Sequence, residues 1–135
     1  MAKNYSITTT HHFEVFKKEF LKWVDFWGLK GWAIEFGHTI NKDARASIAW
    51  RLTGRIAFVQ LSREWEQRDS VITDNEVRKS AFHESCELLM GRLEMMASGK
   101  TQNNKDCVEE EIHNVIRTLE NVVFKPHNRK GQYHA

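Results

Sequence analysis

Three side chains between residues 81 and 87 could act together on a metal ion: His83, Glu84 and Glu87. Residues four apart lie on the same face of an α-helix, so His83 and Glu87 could bind one ion. Glu84 is rotated by about 100° from His83 and could instead reach a water molecule held by that ion. Zinc catalysis uses nitrogen and carboxylate ligands, an open position for water, and a carboxylate to take the water's proton. The spacing therefore predicts part of a Zn²⁺ site.

A third ligand has to come from another element, and the segment from Glu109 to His113 offers the most candidates. On a helical wheel Glu110 points away from the apolar stripe and Glu111 lies on one flank, while Glu109 and His113 lie one turn apart on the other. We favour His113 as the third ligand, with Glu109 as its replacement or as the group that orients it. The apolar stripe of this segment consists of Val108, Ile112, Val115, Ile116 and Leu119.

The same residues also have a plainer interpretation. The pattern His-Glu-x-x-Glu is less specific than the form with two histidines, and His83, Glu84 and Glu87 could be the solvated edge of an amphipathic helix. The acidic run before His113 could simply complement a helix dipole. Cys86 has the spacing of a soft ligand, but it turns towards the apolar stripe, which favours a buried thiol.

Hydrophobic periodicity predicts the helices that would carry these residues. Apolar residues at three- and four-residue spacing indicate a helix over residues 11–27, which Gly28 ends. A capping box at residues 73–76 opens a second helix that runs to about residue 97. A polar loop over residues 98–104 precedes a last helix from about residue 106 to 124.

Alternating apolar and polar residues predict the strands. The alternation covers residues 32–37, 44–52 and 55–61, and Thr53 and Gly54 form a turn that joins the last two strands as a hairpin. The predicted fold is α+β: an N-terminal helix, a small three-stranded antiparallel sheet, and two helices packed on one of its faces.

Three other histidines have structural explanations. His38 continues the inward face of the first strand, where a hydrogen-bonded imidazole at the sheet edge is expected, although it could steady a reaction intermediate. His11 and His12 are adjacent and do not face the same way, so they indicate an exposed helix opening. The hydroxyls of residues 8–10 could cap that helix.

Composition bounds the kind of protein. The chain has 135 residues, 41% of them hydrophobic and 28% charged, which predicts one globular domain over residues 1–124 with a basic flexible tail over residues 125–135. No apolar run is long enough for a membrane span and no signal peptide is evident, so we expect a cytoplasmic protein. A net charge of +2 with interspersed signs argues against nucleic acid as the partner. The oligomeric state is left open.

Motifs spread over most of the chain resemble a known family; they lie at residues 20–23, 28–32, 44–46, 81–89 and 112–121. The family comprises small zinc metallopeptidases encoded by tailed bacteriophages and prophages, distantly similar to SprT-like and other minimal zincins. The resemblance implies a zincin-like domain in the cytoplasm of a bacterial host, with Glu84 as the general base that activates zinc-bound water.

This sequence departs from the zincin pattern because Glu87 stands where a histidine is usual, and His113 falls about where a downstream carboxylate is expected. The set of His83, Glu87 and His113 would keep two imidazoles and one carboxylate. The resemblance implies a peptide or protein substrate. The alternative is a catalytically inactive zincin fold that binds a host or phage protein.

Overall fold

The computed structural model describes residues 5–51, 53–66, 71–98 and 102–128, and within them helices and short strands build an α+β fold. The chain divides into two compact units, residues 1–85 and 86–135, and the boundary falls within a helix. The elements are β1 (Tyr5–Ile7), α1 (Thr10–Phe26), β2 (Ala33–Thr39), β3 (Ala46–Arg51), β4 (Ile56–Ser62), β5 (Glu64–Glu66), α2 (Asp74–Ser98), α3 (Gln102–Leu119) and a π-helical turn (Glu120–Phe124).

The main sheet has the order β2-β4-β3, and it is mixed where an antiparallel sheet was predicted. The hairpin prediction is confirmed, since β3 pairs antiparallel with β4 from Arg51 opposite Ile56 to Ala46 opposite Leu61. The β2 strand pairs with β4 in parallel. The physical reason is topological: β2 and β3 run in opposite directions, and β4 enters the sheet between them. A second sheet of β1 and β5, with three residues in each strand, is too short to show alternation in the sequence.

One face of the main sheet forms the core of the first unit. Ala57, Val59 and Leu61 on β4 are fully buried. Two phenylalanines of α1, Phe16 and Phe20, are also fully buried and meet the ring of Phe36 on β2 edge to face. Each such side chain contributes roughly 1.5–3 kcal/mol through burial. The apolar stripe predicted on the first helix is therefore the surface that holds α1 on the sheet.

The ends of α1 have specific caps. The Thr9 hydroxyl accepts from the backbone N–H of His12, and the His12 imidazole accepts from the backbone N–H of Thr9, which forms a capping box. At the other end Gly28 has a φ of 75°. The N–H groups of Gly28 and Leu29 reach back to the carbonyls of Asp25 and Val24, which is a Schellman motif.

The helix α2 begins at the predicted capping box, where the Thr73 hydroxyl accepts from the Glu76 N–H at 3.2 Å. It runs without a break across the boundary between the two units. No helix of the described ranges has the length and hydropathy that a membrane crossing requires.

In the second unit α3 starts at Gln102, four residues before the predicted start, so it takes in part of the expected loop. Ile112 and Ile116 are buried as predicted, whereas Val115 is 39% exposed because it lies off the line that joins them. Residues 125–128 remain helical beyond the predicted end. The proline ring at position 126 would clash with the carbonyl four residues earlier, and that carbonyl lies in the wider π-helical turn. Residues 129–135 of the predicted tail lie outside the described residues.

Candidate metal centre

The helix α2 carries two of the predicted ligands, His83 and Glu87. They are four residues apart in a continuous helix, so one turn separates them on one face. Both side chains are half-buried. A carboxylate and an imidazole at this spacing are able to bind the same ion.

The third predicted ligand, His113, comes from α3. Its Nε2 atom lies 3.3 Å from Oε1 of Glu87, and the His113 and Glu87 side chains are 44% and 26% exposed. This contact lies within the second unit. The partial exposure leaves a route for solvent or a ligand to the pair.

The other ring nitrogen of His113 determines how this contact must be interpreted. Nδ1 lies 2.8 Å from the main-chain oxygen of Glu109. A carbonyl oxygen can only accept, so Nδ1 carries a hydrogen, and in the neutral ring Nε2 carries a lone pair. That lone pair faces a carboxylate oxygen of Glu87. The lone pair and the carboxylate oxygen are two electron-pair donors that a metal ion could bind together.

Together the three residues form a group that could hold a metal ion. One ligand atom from each of His83, Glu87 and His113 lies within 4.8 Å of the other two. Metal-bound histidines usually donate their second N–H to a carbonyl or carboxylate, and the bond from His113 to Glu109 has this form. The residues therefore fit a cation that accepts imidazole and carboxylate ligands.

Two other predicted site residues take different positions. Glu84 is 5% exposed and does not belong to the convergent group, in keeping with a role other than ligand. The main-chain oxygen of Glu109 accepts a hydrogen bond from His113 and orients the ring. This contact does not involve the Glu109 carboxylate. Cys86 is fully buried, as its position on the apolar side of the helix predicted.

His38 is held in a hydrogen-bond chain at the end of β2. The Thr8 hydroxyl donates to the Ser62 carbonyl at 2.7 Å, so it must accept from Nε2–H of His38, also at 2.7 Å. The imidazole stacks on the ring of Phe13. Burial is the main cause of the lowered pKa of His38, and the positive charges of Arg63 and His12 lower it further. These contacts explain His38 as a structural residue.

A cluster at the starts of α1 and α2 was not predicted from the sequence. His11 Nε2 lies 2.9 Å from Oδ2 of Asp74, and His12 Nε2 lies 4.0 Å from Oδ1 of the same carboxylate. The hydrogen bond from His11 is the largest cause of the lowered pKa of Asp74. The residues are 63 positions apart in the chain and follow no period, so nothing in the sequence pattern could bring them together.

Comparison with known proteins does not add a family to this geometry. The chain matches no family model, no curated protein and no solved structure. The case for the metal centre therefore depends on the orientation and the convergence of His83, Glu87 and His113.

Proposed function

We propose that the chain is a zinc-dependent peptide hydrolase of the zincin type, related to the phage-encoded enzymes that its motifs resemble. The observation that supports the metal site best is His113, whose Nδ1–H is bound by a carbonyl while its Nε2 faces Glu87. Two imidazoles and one carboxylate make one of the common ligand sets of catalytic zinc. Zinc would supply a Lewis acid that makes bound water reactive near neutral pH.

In this proposal each residue has a separate task. His83, Glu87 and His113 hold the ion, and the Glu109 carbonyl fixes the ring of His113. Glu84 follows His83 on the helix, and as the general base it takes a proton from the attacking water and passes it to the leaving amine. Its low exposure keeps this carboxylate away from bulk solvent. The substrate is an extended peptide or a protein segment in the cytoplasm of a bacterial host.

The first experiment measures metal content by elemental mass spectrometry on untagged protein. We expect near-stoichiometric zinc in the wild type, and a loss of zinc in His83→Ala, in Glu87→Ala and in His113→Ala. Lys18→Ala, on the exposed side of α1, is the matched control and should keep the metal. A wild-type protein that stays free of metal after zinc addition would contradict the proposal.

The second experiment tests hydrolysis separately from metal binding. Glu84→Gln keeps the size of the side chain but removes its basicity, so it should keep zinc and lose about 10²- to 10⁴-fold in peptide hydrolysis. A library of internally quenched peptides provides the substrates. Equal zinc and equal rates in the wild type and Glu84→Gln would exclude the proposed general base.

The alternative function is a metal-holding protein that binds a host or phage protein without cleaving it. Glu87 in place of the usual histidine favours this alternative, because it exchanges the positions of the carboxylate and one imidazole around the metal relative to Glu84. Such a protein would bind stoichiometric zinc and would hydrolyse no library peptide. The wild type and Glu84→Gln would bind the partner with the same affinity.

A further inference from the structure

The outward face of the β3–β4 hairpin contains a shallow apolar hollow of about 320 Å³. Phe58 lies in the central strand of the sheet and is 39% exposed. Its cross-strand partner on β3 is Ala49. Because alanine is small, the space beside the Phe58 ring is left unfilled. The hollow is lined by Ala49, Trp50, Arg51, Ile56 and Phe58.

Arg51 adds a positive charge at one end of this hollow. Its Nε donates to the main-chain oxygen of Thr53 at 3.2 Å, which anchors the guanidinium on the protein backbone. Within the described residues no carboxylate forms an ion pair with Arg51, whereas Lys17, Lys22 and Lys30 all have one. The terminal nitrogens of Arg51 are therefore available to a carboxylate from outside the chain.

The hairpin turn holds a second arginine in an unusual conformation. Arg55 has a φ of 50°, a left-handed backbone value that residues other than glycine rarely adopt. A Cβ on Gly31 would lie 3.0 Å from Nη1 of Arg55, so the absence of a side chain at position 31 makes room for the guanidinium. Arg55 directly precedes Ile56, the cross-strand partner of Arg51. Two arginines, Arg51 and Arg55, therefore lie near this end of the hairpin.

The strand β3 is at the edge of its sheet, and no other strand of the described ranges pairs with its outer side. An extended peptide can add to such an edge through backbone hydrogen bonds. Side chains two residues apart on the added strand would fall on the same face as Ala49 and Arg51. One of them would lie over Ala49 against the Phe58 ring, and the other would lie beside Arg51.

From this arrangement we propose that the β3 edge binds an extended peptide segment with an apolar residue and an acidic residue at positions i and i+2. The hollow takes the apolar side chain, and the Arg51 guanidinium binds the carboxylate. This binding does not depend on the metal or on Glu84, so it stands whether or not the protein cleaves peptides.

The test uses fluorescence anisotropy with the full-length protein and a labelled, capped peptide, Gly-Ser-Leu-Ser-Glu-Ser-Gly. Arg51→Gln should weaken binding by about fivefold, as expected for an exposed charge-assisted contact. Phe58→Ser should weaken binding by about tenfold through lost apolar burial. Lys18→Gln, a charge-matched change on α1, should leave the affinity unchanged. Circular dichroism and urea midpoints show whether each variant folds.

Peptide variants keep the test decisive if Phe58→Ser does not fold. Replacing Leu by Ser in the peptide should weaken binding by the same factor as Phe58→Ser. A peptide in which Leu and Glu are adjacent should bind no better than that Leu→Ser peptide. Arg51→Glu should prefer a peptide with Lys in place of Glu. Chelator-treated protein and Glu84→Gln should bind like the wild type. No binding by the wild type, or equal losses in Arg51→Gln and Lys18→Gln, would overturn the proposed site.

Discussion

His113 is held between two oxygen atoms, the main-chain oxygen of Glu109 and Oε1 of Glu87. One ring nitrogen must donate to the carbonyl, and the other faces a carboxylate. The ring is therefore oriented in advance for a cation, and little side-chain entropy remains to be lost when a metal binds. This orientation would favour binding of a metal ion by His113 together with Glu87.

The roles of His113 and Glu109 can be separated by mutation. His113→Ala should lower zinc affinity by more than about 100-fold, beyond the loss typical of an outer hydrogen-bond partner. Glu109→Gln should change it little, because the main-chain carbonyl remains. Competition with a chromophoric zinc chelator measures both affinities. A larger loss in Glu109→Gln than in His113→Ala would make the Glu109 carboxylate the third ligand.

His38 makes the stability of the fold depend on pH. Its pKa is lowered from the ordinary value of 6.5, so below about pH 6.5 the unfolded chain takes up a proton that the folded protein does not. The free energy of unfolding therefore falls as the pH decreases from 6.5 towards the lower pKa of the folded state. His38→Gln removes this proton uptake. The lowered pKa of Asp74 acts in a separate window, below its ordinary value of 3.8.

Urea denaturation at about pH 7.5 and about pH 5.5 checks the His38 prediction. The midpoint should fall between the two values in the wild type, and it should fall less in His38→Gln. His127→Gln, which replaces an exposed histidine on the last helical turn, should behave like the wild type. The same decrease in His38→Gln as in the wild type would show that other groups cause it.

At the scale of elements, the end of α1 depends on one residue. Gly28 has a positive φ, and beyond its chain neighbours no atom of the described residues lies within 4 Å of the position of an added Cβ, so replacement costs backbone strain without a clash. Gly28→Ala should therefore lower the free energy of unfolding by about 1 kcal/mol, and Gly28→Asn should lower it by less. Urea unfolding at neutral pH measures both. An alanine variant as stable as the wild type would mean that the Schellman turn does not contribute.

Local patterns predicted most of these elements. Apolar spacing predicted α1 because Phe16, Phe20 and Trp23 must lie on one buried face, and Gly28 marked its end. Alternation predicted the β3–β4 hairpin because the turn is local. The parallel pairing of β2 with β4 depends on which strand enters the middle of the sheet, and a side-chain period of two does not contain that information.

For the candidate site too, local helix geometry was predictable from the sequence, whereas contacts between elements were not. Helix geometry fixes His83 and Glu87 on one face, and the wheel of the last helix selected His113 and Glu109. The contact between Asp74 and His11 depends on how two helices meet, so sequence spacing could not predict it. The role of the Glu109 carbonyl was also not predictable from its side chain.

At the scale of the whole molecule, metal binding should appear as stability. The ligands come from α2 and α3, so zinc would connect residues 30 positions apart in the chain, from His83 to His113. A ligand that binds only the folded state stabilises it by mass action, by about 2.7 kcal/mol at a concentration of one hundred times Kd. Zinc should thus raise the urea midpoint of the wild type and of Glu84→Gln, and leave that of His113→Ala unchanged. Magnesium is the matched control, because it prefers all-oxygen octahedral sites and should have no effect. If zinc stabilised His113→Ala as much as the wild type, the bound metal would lie elsewhere on the chain. If zinc stabilised the wild type but no peptide were hydrolysed, the protein would be a metal-stabilised binding protein and not a hydrolase.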